Sequence, residues 1–177
     1  STARRLWRDY GFAPITVAVM LVLLKVILQI AWVPSGSMED TLPTRSLLLS
    51  WQMPYVFADP TPQRGDVVTF RSEELGKLLV KRVIGKAGDT IDIDFTAGIV
   101  YRNGEALDEP YTAEPTYTYE GMDFPLTVPD NCLFLMGDNR NGSKDSRSTD
   151  IGCVDTRDIL GTALWRILPF SKIGAVQ

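Results

Sequence analysis

Residues 10–33 form an almost unbroken apolar run, interrupted by Lys25 and Gln29. A stretch of this length has to be covered by lipid or by protein, and that need constrains the rest of the chain. Wound as one helix, its 24 residues reach about 36 Å, enough to cross a hydrocarbon core of ~30 Å with some tilt. Arg4, Arg5 and Arg8 precede the run. The positive-inside rule then predicts a cytoplasmic segment at 1–9, a transmembrane helix at 10–33 and an extracytoplasmic domain at 34–177. Trp7, Tyr10 and Trp32 fall where aromatic side chains favour the two interfaces. A cleaved secretory signal shares the basic-then-apolar order, but its apolar core is only ~7–15 residues and a small-x-small site should follow; none follows cleanly here. Lys25 is expected to snorkel outward or to face a partner. This predicts a single-pass protein of the inner or plasma membrane.

Beyond the run, no long helical periodicity is visible. Short apolar or alternating stretches at 46–51, 66–71, 78–84, 90–95, 98–102, 126–128, 132–136 and 159–168 are separated by turn formers such as Arg64-Gly65-Asp66, Gly88-Asp89 and Pro129-Asp130-Asn131. Strand-length runs at this spacing predict a mainly β domain of antiparallel hairpins and an open barrel. Asn103-Gly104 is the strongest hairpin turn. Residues 105–125, rich in Glu, Tyr, Thr and Pro, read as an extended excursion. Apolar residues at 47–49 and 51–57 either dip into the outer leaflet or pack in the core. Cys132 and Cys153 either close a disulfide loop of about 20 residues, worth ~3 kcal/mol, or stay as two buried thiols.

The chain contains no histidine, which removes the usual partner of a catalytic serine and the usual nitrogen ligand of zinc. A net charge of −4 argues against a nucleic-acid partner. With no cysteine cluster and no Gly-rich phosphate loop, neither a metal nor another cofactor is expected. A serine nucleophile would need lysine as its base, held neutral by desolvation. The candidates are Lys25, Lys77, Lys81, Lys86, Lys144 and Lys172. Lys81 has the best setting, in Leu78-Leu79-Val80-Lys81-Arg82-Val83-Ile84, because a strand there places Leu79, Lys81 and Val83 on one face and sends Arg82 toward solvent. Taken by itself, such a lysine more often snorkels into water. The polar stretch 137–147 would suit a structured loop, but taken by itself it reads first as a solvated polar turn.

Taken together, Pro34-Ser35-Gly36-Ser37-Met38, Arg64-Gly65-Asp66-Val67-Val68, Lys81-Arg82-Val83-Ile84-Gly85 and Gly137-Asp138-Asn139-Arg140 with Ser143, Asp145, Ser146 and Arg147 resemble the ordered boxes of type I signal peptidases. Val100-Tyr101-Arg102-Asn103-Gly104 and Asp108-Glu109-Pro110-Tyr111 are similar to less diagnostic stretches of that family. The resemblance implies Ser37 as nucleophile and Lys81 as general base. It implies that Ser35 donates to the oxyanion beside the Ser37 N–H, and that Ser143 hydrogen-bonds the lysine amine. Asp138, Asn139, Asp145 and Arg147 would be structural support, the last two as an ion pair. Val33, Pro34, Met38, Leu42, Leu79 and Val80 would line shallow pockets that admit only small side chains of exported preproteins. Membrane lipid is the other implied partner. Two departures stand out: Asp40, where the family usually has proline, and Ser148-Thr149-Asp150-Ile151-Gly152 after Arg147. They leave room for a specialised relative that processes a conjugative pilin or another dedicated precursor.

Overall fold

The computed structural model describes residues 12–33, 35–39, 41–52, 62–72 and 74–176, and the side chains of Leu23 and Val26 are left aside. The expectations resting on Arg4, Arg5, Trp7, Arg8, Tyr10, Pro34, Asp40 and 53–57 lie outside the described residues.

Helix α1 spans Ala13–Ile27, with a proline in its first turn, where its missing N–H breaks no helical bond. It does not continue to residue 33. Leu28–Trp32 is strand β1, antiparallel to β2 (Leu47–Trp51), with Ile30 opposite Leu49 and Gln29 opposite Ser50. The expected helix over 10–33 is therefore corrected at its C-terminal end. Apolarity alone does not separate a helix from a strand, and here the open edge of β2 recruits the segment. Ala31 and Val33 enter the core as a result, and the Gln52 side-chain amide donates to Gln29 Oε1 at 2.8 Å. The 15 residues of α1 reach about 22 Å. Among the described residues no helix is long and apolar enough to cross a membrane.

The remaining strands are β3 (Val67–Ser72), β4 (Lys77–Lys86), β5 (Thr90–Asp94), β6 (Ile99–Arg102), β7 (Glu105–Ala106), β8 (Leu126–Thr127), β9 (Cys132–Met136), β10 (Val154–Asp155), β11 (Ile159–Leu168) and β12 (Gly174–Ala175). One sheet runs in the order β1-β2-β11-β3-β4-β9-β10, with β12 on β11; a second runs β7-β6-β5-β8. All pairings among the described strands are antiparallel, and register shifts interrupt β11 and the β4–β9 pair. Asn103 and Gly104 both have positive φ, the geometry a two-residue hairpin needs to follow strand twist.

Three apolar clusters hold the sheets together. Met38, Leu42, Leu48, Val67 and Val80 pack under β1. Val68, Phe70, Val83, Leu133 and Leu135 fill a second cluster. Ile84, Ile91, Val100, Phe134 and Met136 join the two sheets in the third. Strand β4 contributes to all three, so whatever it carries is held from every side. Cys132 and Cys153 are both free thiols at the margin of the third cluster. Burial, with Cys132 nearby, pushes the Cys153 thiol up to about 11.

Candidate active site

The site forms where β4, the turn after β1 and the loop after β9 meet. Gly36–Met38 is a single 3-10 turn that places Ser37 against the sheet, 7% exposed. The Lys81 side chain, 1% exposed, comes off β4 and its amine donates to Ser37 Oγ at 2.6 Å. Ser35 Oγ lies 3.2 Å from Ser37 Oγ. Burial pulls the Lys81 amine down from 10.5 to about 8; Arg147 adds to this, while Asp145, Asp138 and Glu120 oppose it. A neutral amine is thus within reach near physiological pH, and a neutral amine hydrogen-bonded to a hydroxyl can accept its proton.

The loop after β9 is organised by Asp145. Its Oδ2 accepts from Gly137 N at 2.9 Å, Ser143 Oγ at 2.7 Å and Arg147 Nη2 at 2.9 Å, while Oδ1 accepts from Arg147 Nε at 2.8 Å. Neither Asp145 nor Arg147 is exposed. Arg147 also donates to the carbonyls of Arg140, Ser143 and Thr118, so its charge is met on every side. Gly137 has no room for a side chain: an added Cβ would stand 2.4 Å from Ser37 O and 2.2 Å from Ser143 Oγ. Asn139 ties this loop to the serine turn, its N–H donating to Ser37 O and its side chain to Gly36 O.

Several expectations change here. Ser143 is adjacent, but its hydroxyl donates to Asp145 and the lysine amine donates to Ser37, so no Ser143–Lys81 hydrogen bond is present among the described residues. A carboxylate two residues away is the stronger acceptor for that hydroxyl. Arg82 does not face solvent. It is 2% exposed and forms a forked pair with Asp138, Nε to Oδ1 at 2.8 Å and Nη2 to Oδ2 at 2.6 Å, and it also donates to Gly65 O. Asp138 therefore fixes β4 rather than merely shaping its own turn.

A cleft of about 600 Å³ opens beside Ser35, Ser37 and Lys81, with Trp32, Leu75, Leu78 and Leu79 as its apolar wall. Of the expected pocket residues, Leu79 lines it. Val33, Met38, Leu42 and Val80 do not; they are buried in the cluster behind, where they pack with Ala31, Leu48 and Val67. Trp32 and the β3–β4 turn were missed, since nothing local in the sequence brings them to the serine. Among the described residues no group of three or more His, Cys, Asp or Glu is placed to hold a metal ion.

A serine carrying a buried amine in place of imidazole points to a peptidase of the serine type. The profile described as "Signal peptidase, peptidase S26" matches residues 7–168, and the chain belongs to that family. It is 32% identical over 176 residues to a probable signal peptidase I-2 of Synechocystis sp., covering 95% of this chain and 76% of that one. A second Synechocystis protein, probable signal peptidase I-1, is 38% identical, with coverages of 81% and 72%. The signal peptidase I of Bacillus amyloliquefaciens is 33% identical, with coverages of 93% and 90%. A crystal structure of a signal peptidase I from Enterococcus faecalis V583 has a TM-score of 0.48 at 33% identity, covering 58% of this chain and 97% of that one.

Proposed function

We propose that this chain removes signal peptides from exported preproteins by Ser37–Lys81 catalysis. The observation that carries the reading is the buried Lys81 amine on Ser37 Oγ at 2.6 Å. Ser37 Oγ attacks the scissile carbonyl carbon while its proton passes to Lys81 Nζ. The oxyanion is met by the Ser37 N–H and the Ser35 hydroxyl. Collapse breaks the C–N bond, and Lys81 returns the proton to the leaving amine. Lys81 then takes a proton from water as the water oxygen attacks the acyl ester carbon; the C–O bond to Ser37 breaks and Lys81 returns that proton to Ser37 Oγ. Asp145 and Arg147 hold the loop, with Ser143 bonded to Asp145 beside the lysine.

The substrate's place is suggested by the ladder. The pairing of β4 with β9 begins at Arg82, so residues 77–81 have no strand on that side among the described residues. An extended precursor could add there, as peptides do on other open sheet edges. Its side chains would meet the apolar wall of Trp32, Leu78 and Leu79, where a confined floor favours small residues beside the cleaved bond.

Membrane attachment belongs to the same reading. Ile15, Val17, Val19, Met20, Leu21, Val22 and Leu24 are all exposed on α1, as are Ile30, Trp32, Trp165, Phe170 and Ile173 on the sheet end nearby in sequence or pairing. So much exposed apolar surface calls for lipid. We place that contact on residues 10–27 and the catalytic domain on the outer side, in keeping with Arg4, Arg5 and Arg8.

The test is cleavage of a preprotein bearing a small-x-small site by detergent-solubilised protein. Ser37→Ala and Lys81→Ala should each abolish it, and wild-type kcat/KM should rise with pH through about 8 as Lys81 loses its proton. Cleavage surviving either substitution would overturn the assignment; wild-type activity confined to a pilin precursor would move it to a dedicated substrate.

A further inference from the structure

The Glu109-Pro110-Tyr111 stretch has no part in the chemistry above, yet it reaches both halves of the site. The Tyr111 ring lies under two buried guanidiniums: Arg82 Cζ is 4.1 Å from its centroid and Arg140 Cζ is 5.9 Å. The Tyr111 hydroxyl donates to Glu109 Oε1 at 2.9 Å. Glu109 accepts in turn from Arg140 at 2.6 and 2.7 Å, and Arg140 also donates to Thr116 Oγ1 and Gly137 O.

Resting on the Ser37–Lys81 reading, we propose that Tyr111, braced by Glu109, is a positioning residue that holds the lysine strand and the serine loop in register. Arg82 is the residue next to Lys81 on β4. Arg140 follows the Gly137 contact with Ser37 and offers its carbonyl to Arg147. A single ring thus touches the neighbour of the base and the loop that abuts the nucleophile. The arrangement also answers an electrostatic problem. Two guanidiniums brought together repel unless each has its own carboxylate and a shared π face. Asp138 serves Arg82, Glu109 serves Arg140, and Tyr111 supplies the face. Without the ring, Arg82 and Arg140 lose their common rest point, and Asp138 is free to move with Arg82. The charged groups facing Lys81 are Asp145 and Arg147 from the loop, Asp138 from the turn after β9 and Glu120 from the excursion. Displacing Asp138 would lower the amine further, whereas admitting water relieves burial, the larger cause, so the net shift is upward.

Tyr111→Leu should lower kcat at least tenfold with KM changed less than about threefold, because alignment is lost and the cleft is kept. Its pH–rate limb should move up by about a unit as the amine regains hydration. Tyr111→Phe keeps the π face and should stay within about threefold of wild type. Tyr117→Leu, in the same excursion but exposed, should change nothing. A role in stability alone predicts lower thermal stability with kcat and the pH limb unmoved, and that result would overturn the proposal. Should Tyr111→Leu fail to fold, Glu109→Gln is the deciding variant: a fall in kcat of about threefold with an upward pH shift supports the clamp, and wild-type values overturn it. NMR titration of the Lys81 ε-carbon in the same proteins reads alignment without turnover. An upward shift in Tyr111→Leu relative to wild type, in a protein that cleaves nothing, would keep the clamp and discard the peptidase chemistry; an unshifted Tyr111→Leu titration with normal wild-type cleavage would do the reverse.

Discussion

Lys81 and Arg82 are consecutive residues on one strand, both cationic by type and both excluded from water, yet the protein treats them oppositely. Arg82 on one face is matched by Asp138 in a forked pair, and Tyr111 covers it. Lys81 on the other face donates to a neutral hydroxyl, has no carboxylate in direct contact among the described residues, and burial drags its protonation down to about 8. Equal burial therefore yields a locked charge on one side and a titratable base on the other. Partnering, rather than depth, decides which.

Replacing each cation by methionine is the sharpest way to break this contrast. Arg82→Met should destabilise by about 3–5 kcal/mol, since it strands Asp138 without its partner, and chemical denaturation measures this. Next comes the chemistry on the lysine face: Ser35→Ala should cost ~2.7–4 kcal/mol of transition-state stabilisation, seen as a fall in kcat with little change in folding. Lys81→Met should go the other way from Arg82→Met and stabilise the fold at pH 7, by up to about 3 kcal/mol. The sign follows from the depressed amine. Between about 8 and 10.5 the unfolded lysine holds a proton that the folded one has lost, so wild-type stability rises with pH across that window. The advantage of Lys81→Met should shrink over the same range and vanish above it. A Lys81→Met protein less stable than wild type at pH 7 would erase the distinction between the two faces.

The sequence made much of this frame legible, and the exceptions share a cause. The alternating runs at 46–51, 66–71, 90–95, 132–136 and 159–168 coincide closely with β2, β3, β5, β9 and β11, because period-two apolarity and turn residues are local signals. Lys81 could be singled out for the same reason, with Leu79 and Val83 sharing its face. Arg82 was misjudged because alternation says which residues share a face and is silent on what covers the other one. That cover comes from residues 109–140, through Tyr111 and Asp138. Residues 28–32 read as a continuation of the helix because their strand partner, β2, lies about 20 residues away along the chain. The pocket residues were misassigned one step further out: Val33, Met38 and Leu42 are apolar and near the serine, but only packing distinguishes a wall from the core behind it. Ser143 was expected to hydrogen-bond the lysine amine, while its hydroxyl donates to Asp145, a preference set by the three-dimensional loop.

The edge of β4 at residues 77–81, open among the described residues, and the base at its end belong to one strand. A precursor docked there cannot drift by single residues, since each one-residue slip turns its side chains to the opposite face. The next workable seating lies two residues along. Errors in trimming should accordingly appear as mature ends that differ by two residues, so that mass spectra of the products would carry the imprint of a pleated sheet.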